Sequence, residues 1–145
     1  MSNFSVDLLS GDTSQQHGWQ MLTQIVDSDP VPTLVLNVRH EVTHWNRAME
    51  KTFGIPASEV VGTRDQWRAF YETARPVLAD IVLDRASEAV LRELYEDRIQ
   101  RSELISDAWE VEHYVAHLEK WCVFTAALLH DVRGIAFTHF RKEDV

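Results

Sequence analysis

The chain has 145 residues, of which 45% are hydrophobic and 10% aromatic, and its net charge is −9 at pH 7. This length and composition support a single folded domain and argue against disorder. The acidic charge disfavours nucleic-acid binding, which needs a concentrated basic surface. The sequence shows no leader peptide and no apolar run of about 18 residues that could span a membrane. The lone cysteine, Cys122, suits a reducing compartment, so we expect a cytoplasmic protein. From the charge and the absence of a long apolar run, we expect neither nucleic-acid nor membrane partners.

The first 30 residues divide into two segments. Residues 1–15 are small and polar, which predicts a flexible tail. Residues 16–30 are predicted to form an amphipathic helix that ends before the Asp-Pro-Val-Pro segment. Its apolar residues recur at helical spacing and are Trp19, Leu22, Ile25 and Val26. An isolated amphipathic helix has to bury its apolar stripe, so we predict that these four residues form a homodimer interface.

Residues 31–141 are expected to form the main domain. Strands are predicted at residues 33–38 and 41–45, followed by a helix with Asn46 as its N-cap and Gly54 at its left-handed end. A short helix at 57–60 and an aromatic-rich connector at 64–71 come next. Helical spacing then marks two apolar faces. They consist of Val77, Leu78, Ile81 and Val82, and of Val90, Leu91, Leu94 and Ile99.

The last third of the chain changes its hydrophobic period from about 3.6 to 2, which predicts strands. Residues 109–115 and 121–128 each alternate along their length, and a turn at 130–134 leads to a third strand at 135–140. Their short connections favour an antiparallel meander. The expected fold is therefore α+β, with a five-stranded antiparallel sheet and helices packed on one face.

The segment His40-Glu41-Val42-Thr43-His44 has the HExxH spacing of zinc peptidases. Such a motif binds zinc on a helix, where residues i and i+4 share a face. On a strand the two histidines would be about 13 Å apart and could not share one ion. The β-branched Val42 and Thr43 favour the strand. A zinc hydrolase with His40 and His44 as ligands and Glu41 as base is therefore the alternative hypothesis, and we predict no metal site.

The order and spacing of several motifs resemble a PAS domain over about residues 17–140. They are the strand and cap at 42–46, Phe53-Gly54, Glu59-Val60-Val61-Gly62 and the turn at 131–134. A second group resembles the PAS modules of bacterial sensor kinases and chemoreceptors. It comprises Trp67 with Phe70-Tyr71, then Arg-Pro-Val-Leu-Ala-Asp at 75–80 and Trp-Glu-Val-Glu at 109–112. The first hairpin departs from the family, because Asn37-Val38-Arg39-His40 stands where an Asp and Gly turn is common.

The resemblance implies a sensory or dimerising module with a ligand pocket between the inner face of the sheet and the central helices. Ligand sites are largely apolar with a few polar groups, so the aromatic residues are the pocket candidates. The set is Trp67, Phe70, Tyr71, Trp109 and Phe124, with Arg75 as a partner for a ligand carboxylate. The alternative is that these aromatics fill the core and that Arg75 caps a helix or meets Asp80.

The sequence does not name a cofactor. Flavin photoreceptors of the family carry a reactive cysteine on a central helix, whereas Cys122 lies on a predicted strand. Haem is also disfavoured, because residues 74–101 contain no histidine, although His113 or His139 could ligate one. We expect a non-catalytic PAS module of two-component or chemotaxis signalling that binds a small molecule, dimerises or contacts a signalling partner protein. The alternatives are the zinc hydrolase and a haem-binding gas or redox sensor.

Overall fold

The computed structural model describes residues 8–128 and 136–142, and it describes side chains from residue 16 to residue 128. The α-helices are α1 (Leu8–Ser28), α2 (Arg47–Phe53), α3 (Ala57–Val60), α4 (Leu78–Leu83) and α5 (Glu88–Tyr95). The strands are β1 (Thr33–Leu36), β2 (Val42–Trp45), β3 (Ile99–Arg101), β4 (Ala108–Val115), β5 (Lys120–Leu128) and β6 (Ala136–Lys142). Short 3-10 helices lie at Asp65–Ala69, Glu96–Arg98 and Ala116–Leu118.

The six strands form one antiparallel sheet in the order β2-β1-β6-β5-β4-β3. The α+β prediction with an antiparallel sheet is confirmed, and β4, β5 and β6 form the expected meander. The turn predicted at 130–134 lies outside the described residues. The short strand β3 was not expected, because we assigned Ile99 to a helical face, whereas it pairs with Val111. A strand of three residues is too short to show a period of 2 in the sequence.

The main core lies between one face of the sheet and helices α2 to α5. Alternate strand residues point into it, such as Leu34 and Leu36 of β1 and Val111 of β4. From β5, Cys122 and Phe124 enter the same core. The alternation of hydrophobic residues in the sequence therefore correctly indicates which side chains the sheet buries.

Asn46 and Gly54 bound α2 as predicted. The Asn46 side chain accepts a hydrogen bond from the backbone N–H of Met49, which is the third residue of the helix. Gly54 has a φ of 74°, and its N–H donates to the carbonyl of Glu50. This left-handed closure is favourable for glycine because glycine has no Cβ to clash with the backbone.

Helix α1 begins at Leu8, inside the segment that we predicted to be a flexible tail. It also lies on the face of the sheet opposite to the other helices. Leu22 and Val26 pack against Val35, whose neighbours Leu34 and Leu36 point into the main core. The helices are therefore confined to one face only for α2 to α5. Among residues 8–128 and 136–142, no helix combines the length and apolar character needed to cross a membrane.

In α4 the predicted Leu78 and Val82 are buried, but α5 buries a different side from the predicted one. In α5 the buried pair is Leu91 and Tyr95, one turn apart. Val90 and Leu94 are 42% and 49% exposed, so they lie on the solvent side of the helix. The sequence pattern was misread here because two apolar stripes one residue apart share the same spacing.

Candidate functional site

A small cavity lies in the main core, between the central helices and the strands β4 and β5. It encloses about 10 Å³, which is close to the space of one water molecule. Its walls are formed by Phe70, Tyr71, Val77, Leu78, Tyr95, Val111, His113 and Phe124. The ring centroids of Phe70 and Phe124 are 4.9 Å apart and those of Tyr71 and His113 are 5.2 Å apart. The surrounding core side chains, many of them aromatic, thus leave only a small space between them.

His113 is the main polar feature of this cavity. Its Nδ1 atom is buried and has no hydrogen-bond partner among the described residues. Burial lowers the pKa of His113, and the positive charges of Arg98 and Arg75 lower it further. The imidazole is therefore kept neutral, and its unpaired nitrogen has an unfulfilled hydrogen bond, which is costly in a protein interior.

Two tyrosines and an arginine lie beside His113. Burial raises the pKa of Tyr95, and a hydrogen bond with the Tyr71 side chain raises it further. Arg75 is exposed, and its guanidinium carbon lies 4.1 Å from the centre of the Tyr71 ring. Arg75 thus makes a cation–π contact at the outer side of the cavity wall.

The six predicted pocket residues lie in three places. Phe70, Tyr71 and Phe124 line the cavity. Trp67 and Arg75 instead line an open cleft of about 450 Å³ on the surface, together with His40 and Asp80. Trp109 is buried under Arg101, whose guanidinium carbon is 4.4 Å from the ring centre.

Five residues that line the cavity were absent from the predicted pocket set. They are Val77, Leu78, Tyr95, Val111 and His113. For His113 the signal was present, because it alternates with Glu112 and Tyr114 and so points to the inner face. For Tyr95 the helical spacing from Leu91 was the available signal.

The HExxH segment does not have the geometry of a zinc-peptidase motif. His40 lies in the turn before β2, and His44 lies within β2, so no helix places them on one face. The His40 ring nitrogens contact Asp80 and Asp84, whereas Nε2 of His44 lies 2.9 Å from the Thr23 hydroxyl. The zinc hydrolase alternative is therefore wrong for this pair, since each ring serves a separate contact on a different side of the sheet.

The exposed side of α1 is the other candidate site. Of the four predicted interface residues, Val26 is 3% exposed and packs with Leu22 inside the domain. Trp19 is 44% exposed, and its ring centroid lies 4.8 Å from that of His44, with the two ring planes tilted by 53°. Ile25 is 61% exposed, and Met21, which we did not single out, is 62% exposed. The predicted stripe therefore divides into one side that faces the sheet and one that faces solvent.

Comparison with known proteins agrees with this fold. Residues 20–64 match the family model of the PAS fold. The chain is similar to the PAS domain from Bordetella pertussis BvgS, with 13% identity, a TM-score of 0.53, and coverage of 88% of this chain and 87% of that chain. No curated protein matches its sequence.

Two larger proteins are similar over part of their length. An RNA-binding light-oxygen-voltage receptor shares 16% identity with a TM-score of 0.53, over 98% of this chain and 36% of the receptor. A phage VqmA, solved as its complex with DPO, shares 12% identity with a TM-score of 0.54, over 90% of this chain and 55% of that one. The matched segment and the architecture together confirm the resemblance found in the sequence, and the chain has the fold of a PAS domain.

Proposed function

We propose that the chain is a cytoplasmic signalling PAS module that works as a homodimer joined through α1. The observation that supports the proposal is an apolar stripe that α1 turns to solvent. Met21 and Ile25 are more than half exposed and lie one helical turn apart. Gly18 continues the stripe, and a Cβ added there would meet nothing within 4 Å. This side of the helix is open to close approach by another chain.

The neighbouring sequence favours a second copy as the partner. Residues 13–26 contain no Asp, Glu, Lys or Arg, although the whole chain has a net charge of −9. Two copies can therefore approach along this segment without strong repulsion between like charges. Residues 16–21 are all exposed, although the Trp19 ring contacts His44, and a helical segment as short as this one is marginal in water without support.

Light scattering at several protein concentrations tests the homodimer. The wild type should give the mass of two chains, and Ile25→Asp should give the mass of one, because the new charge would lie inside the interface. Gln24→Asp is the matched control, since Gln24 is exposed on the adjacent polar side of α1. A wild type that stays monomeric, or equal masses for the two variants, would remove the proposal.

A second candidate function is the binding of a small neutral molecule in the core cavity. The unpaired Nδ1 of His113 favours it, because a ligand with one hydrogen-bonding group could satisfy this atom. The phage VqmA structure contains DPO, which supports ligand binding by this fold. At about 10 Å³ the cavity has to widen before it admits more than one water molecule.

Native mass spectrometry of the freshly purified protein tests this second function. We expect an organic adduct on the wild type that is lost in His113→Phe, which keeps the ring shape and removes both nitrogens. Tyr114→Phe is the control, because Tyr114 follows His113 on β4 and is exposed on the other face. Adduct-free wild type, or an adduct retained by His113→Phe, would contradict a ligand held by His113.

A further inference from the structure

The turn between β1 and β2 holds a histidine in an unusual backbone conformation. His40 has a φ of 66°, in the left-handed region where glycine is most common. Around it, the Asn37 side chain accepts from the N–H of Arg39 and of Glu41, and donates to the Glu41 carboxylate. The turn is therefore rigid by its own hydrogen bonds. A bulky side chain at such a position is a reason to look for a role.

The imidazole of His40 bridges two carboxylates of α4 and its C-terminal end. Nδ1 lies 2.6 Å from an oxygen of Asp80, and Nε2 lies 2.8 Å from an oxygen of Asp84. An ionised carboxylate can only accept hydrogen bonds, so both contacts are made when both ring nitrogens carry a proton. The geometry is that of an imidazolium. A neutral ring can donate to only one of the two carboxylates.

Asp80 connects this histidine to the walls of the core cavity. Its other oxygen accepts from the N–H of Val77, and the oxygen that contacts His40 also accepts from Nε2 of Gln66. The same Gln66 nitrogen donates to the His40 carbonyl. Val77 lines the cavity, and Gln66 belongs to the 3-10 helix that leads into Phe70. One carboxylate thus joins the turn, this 3-10 helix and α4.

From this arrangement we propose that His40 is a pH-sensitive latch, which fastens the β1–β2 turn to α4 and to the cavity wall when protonated and releases Asp84 when it is neutral. Asp80 keeps its hydrogen bonds with Val77 and Gln66 in both protonation states of His40. The contact of His40 with the more exposed Asp84 is therefore the one that breaks. The side chain of Asp84 is 67% exposed, against 11% for Asp80.

The charged surroundings agree with a protonated state that persists above the usual range. Burial lowers the pKa of His40, but the hydrogen bonds and charges of Asp80 and Asp84 outweigh it, so the pKa is raised overall. The other charged groups near this ring come from the turn and from the cleft. They are Arg39, Glu41, Arg64, Asp65 and Arg75. With a raised folded pKa, the latch stabilises fully below the unfolded pKa of about 6.5 and is lost as pH rises through the folded value.

The test compares the wild type with His40→Asn between pH 5.5 and 9. Asparagine also tolerates the left-handed conformation but does not titrate. We expect the ratio of the variant's unfolding constant to that of the wild type to fall with rising pH, by about tenfold for each unit by which the pKa of His40 is raised. In NMR spectra of the wild type, amides of α4 and the turn should shift with the midpoint of the His40 ring. A ratio that does not change with pH, or α4 amides that do not follow His40, would overturn the latch.

A second pair of variants covers the case in which His40→Asn does not fold. Asp84→Asn removes one carboxylate at an exposed position and should lower the midpoint of the His40 ring. Asp97→Asn, which is exposed but belongs to another 3-10 helix, is the control and should leave that midpoint unchanged. Equal midpoints in the two variants would also overturn the latch.

Discussion

Asn46 is the residue whose substitution tests the logic of this fold most directly. It is fully buried, and its Oδ1 accepts from the N–H groups of Thr33 and Met49. Its Nδ2 lies within hydrogen-bond distance of three carbonyls, those of Val26 at 2.9 Å, Asp29 at 3.2 Å and Val31 at 2.9 Å. One amide therefore holds β1, the start of α2 and the end of α1 together.

Replacing Asn46 by Asp keeps the shape and the acceptor but turns the donor into an oxygen. The amide has two hydrogens, so two hydrogen bonds are lost at about 1 kcal/mol each. The carbonyls of Val26 and Val31 each keep one donor, the N–H of Asp29 and the Thr33 hydroxyl, but a buried carboxylate is brought beside them, which costs at least about 1 kcal/mol more. We expect a loss of at least about 3 kcal/mol in the free energy of unfolding at pH 7.

Urea unfolding followed by tryptophan fluorescence measures this loss. The penalty should shrink as pH falls, because protonation of the buried Asp removes its charge and restores one donor. Gln24→Glu makes the same amide-to-carboxylate change on the exposed side of α1 and should cost less than about 0.5 kcal/mol. If Asn46→Asp costs less than about 1 kcal/mol at pH 7, the three carbonyl contacts do not contribute as argued.

Three further predictions use paired or pH-dependent measurements. Gly54→Ala should cost about 1 kcal/mol because φ is 74°, whereas Gly18→Ala in the exposed part of α1 should stabilise by about the same amount; changes of the same sign would contradict this. Val26→Ala should cost about 2 kcal/mol in urea unfolding, and Ile25→Ala much less within one protomer, since Val26 is 3% and Ile25 61% exposed. The lowered pKa of His113 means that the unfolded chain binds the proton first as pH falls below about 6.5. The contribution of His113 should therefore lower the stability of the wild type between pH 7 and 5, and His113→Phe should remove that contribution; parallel profiles would show that His113 does not contribute.

The parts of the fold that sequence could predict are those set by local chemistry. The N-cap bond of Asn46 to Met49, the left-handed closure at Gly54 and the alternation in β4 and β5 are each visible within a few neighbouring residues, and each was predicted correctly. The differences between prediction and structure concern contacts with residues far away in the sequence. Leu22 and Val26 pack against Val35 of their own domain, and nothing in the residues near them in the sequence specifies this contact.

The candidate site was only partly predictable for the same reason. Phe70 and Phe124 lie in the core and Tyr71 packs against it, so the three predicted residues line the same cavity. Arg75 was expected to pair with a ligand carboxylate or, in the alternative, to meet Asp80. Its guanidinium lies over the Tyr71 ring, and the Asp80 oxygen that was the alternative partner contacts His40 and Gln66. Whether an exposed arginine contacts an aromatic ring or a carboxylate depends on the positions of these groups in the folded domain, which the sequence does not show.

The pairing of β1 with β6 has a consequence for how the chain is made. Val35 lies opposite Phe137, about a hundred residues later in the chain. The hairpin of β1 and β2 therefore leaves the ribosome long before β6, the strand that pairs with β1, has been synthesised. Closing so large a loop is a slow step, because its entropy is lost before the contacts form. The nascent domain thus exposes the β1 edge until β6 emerges.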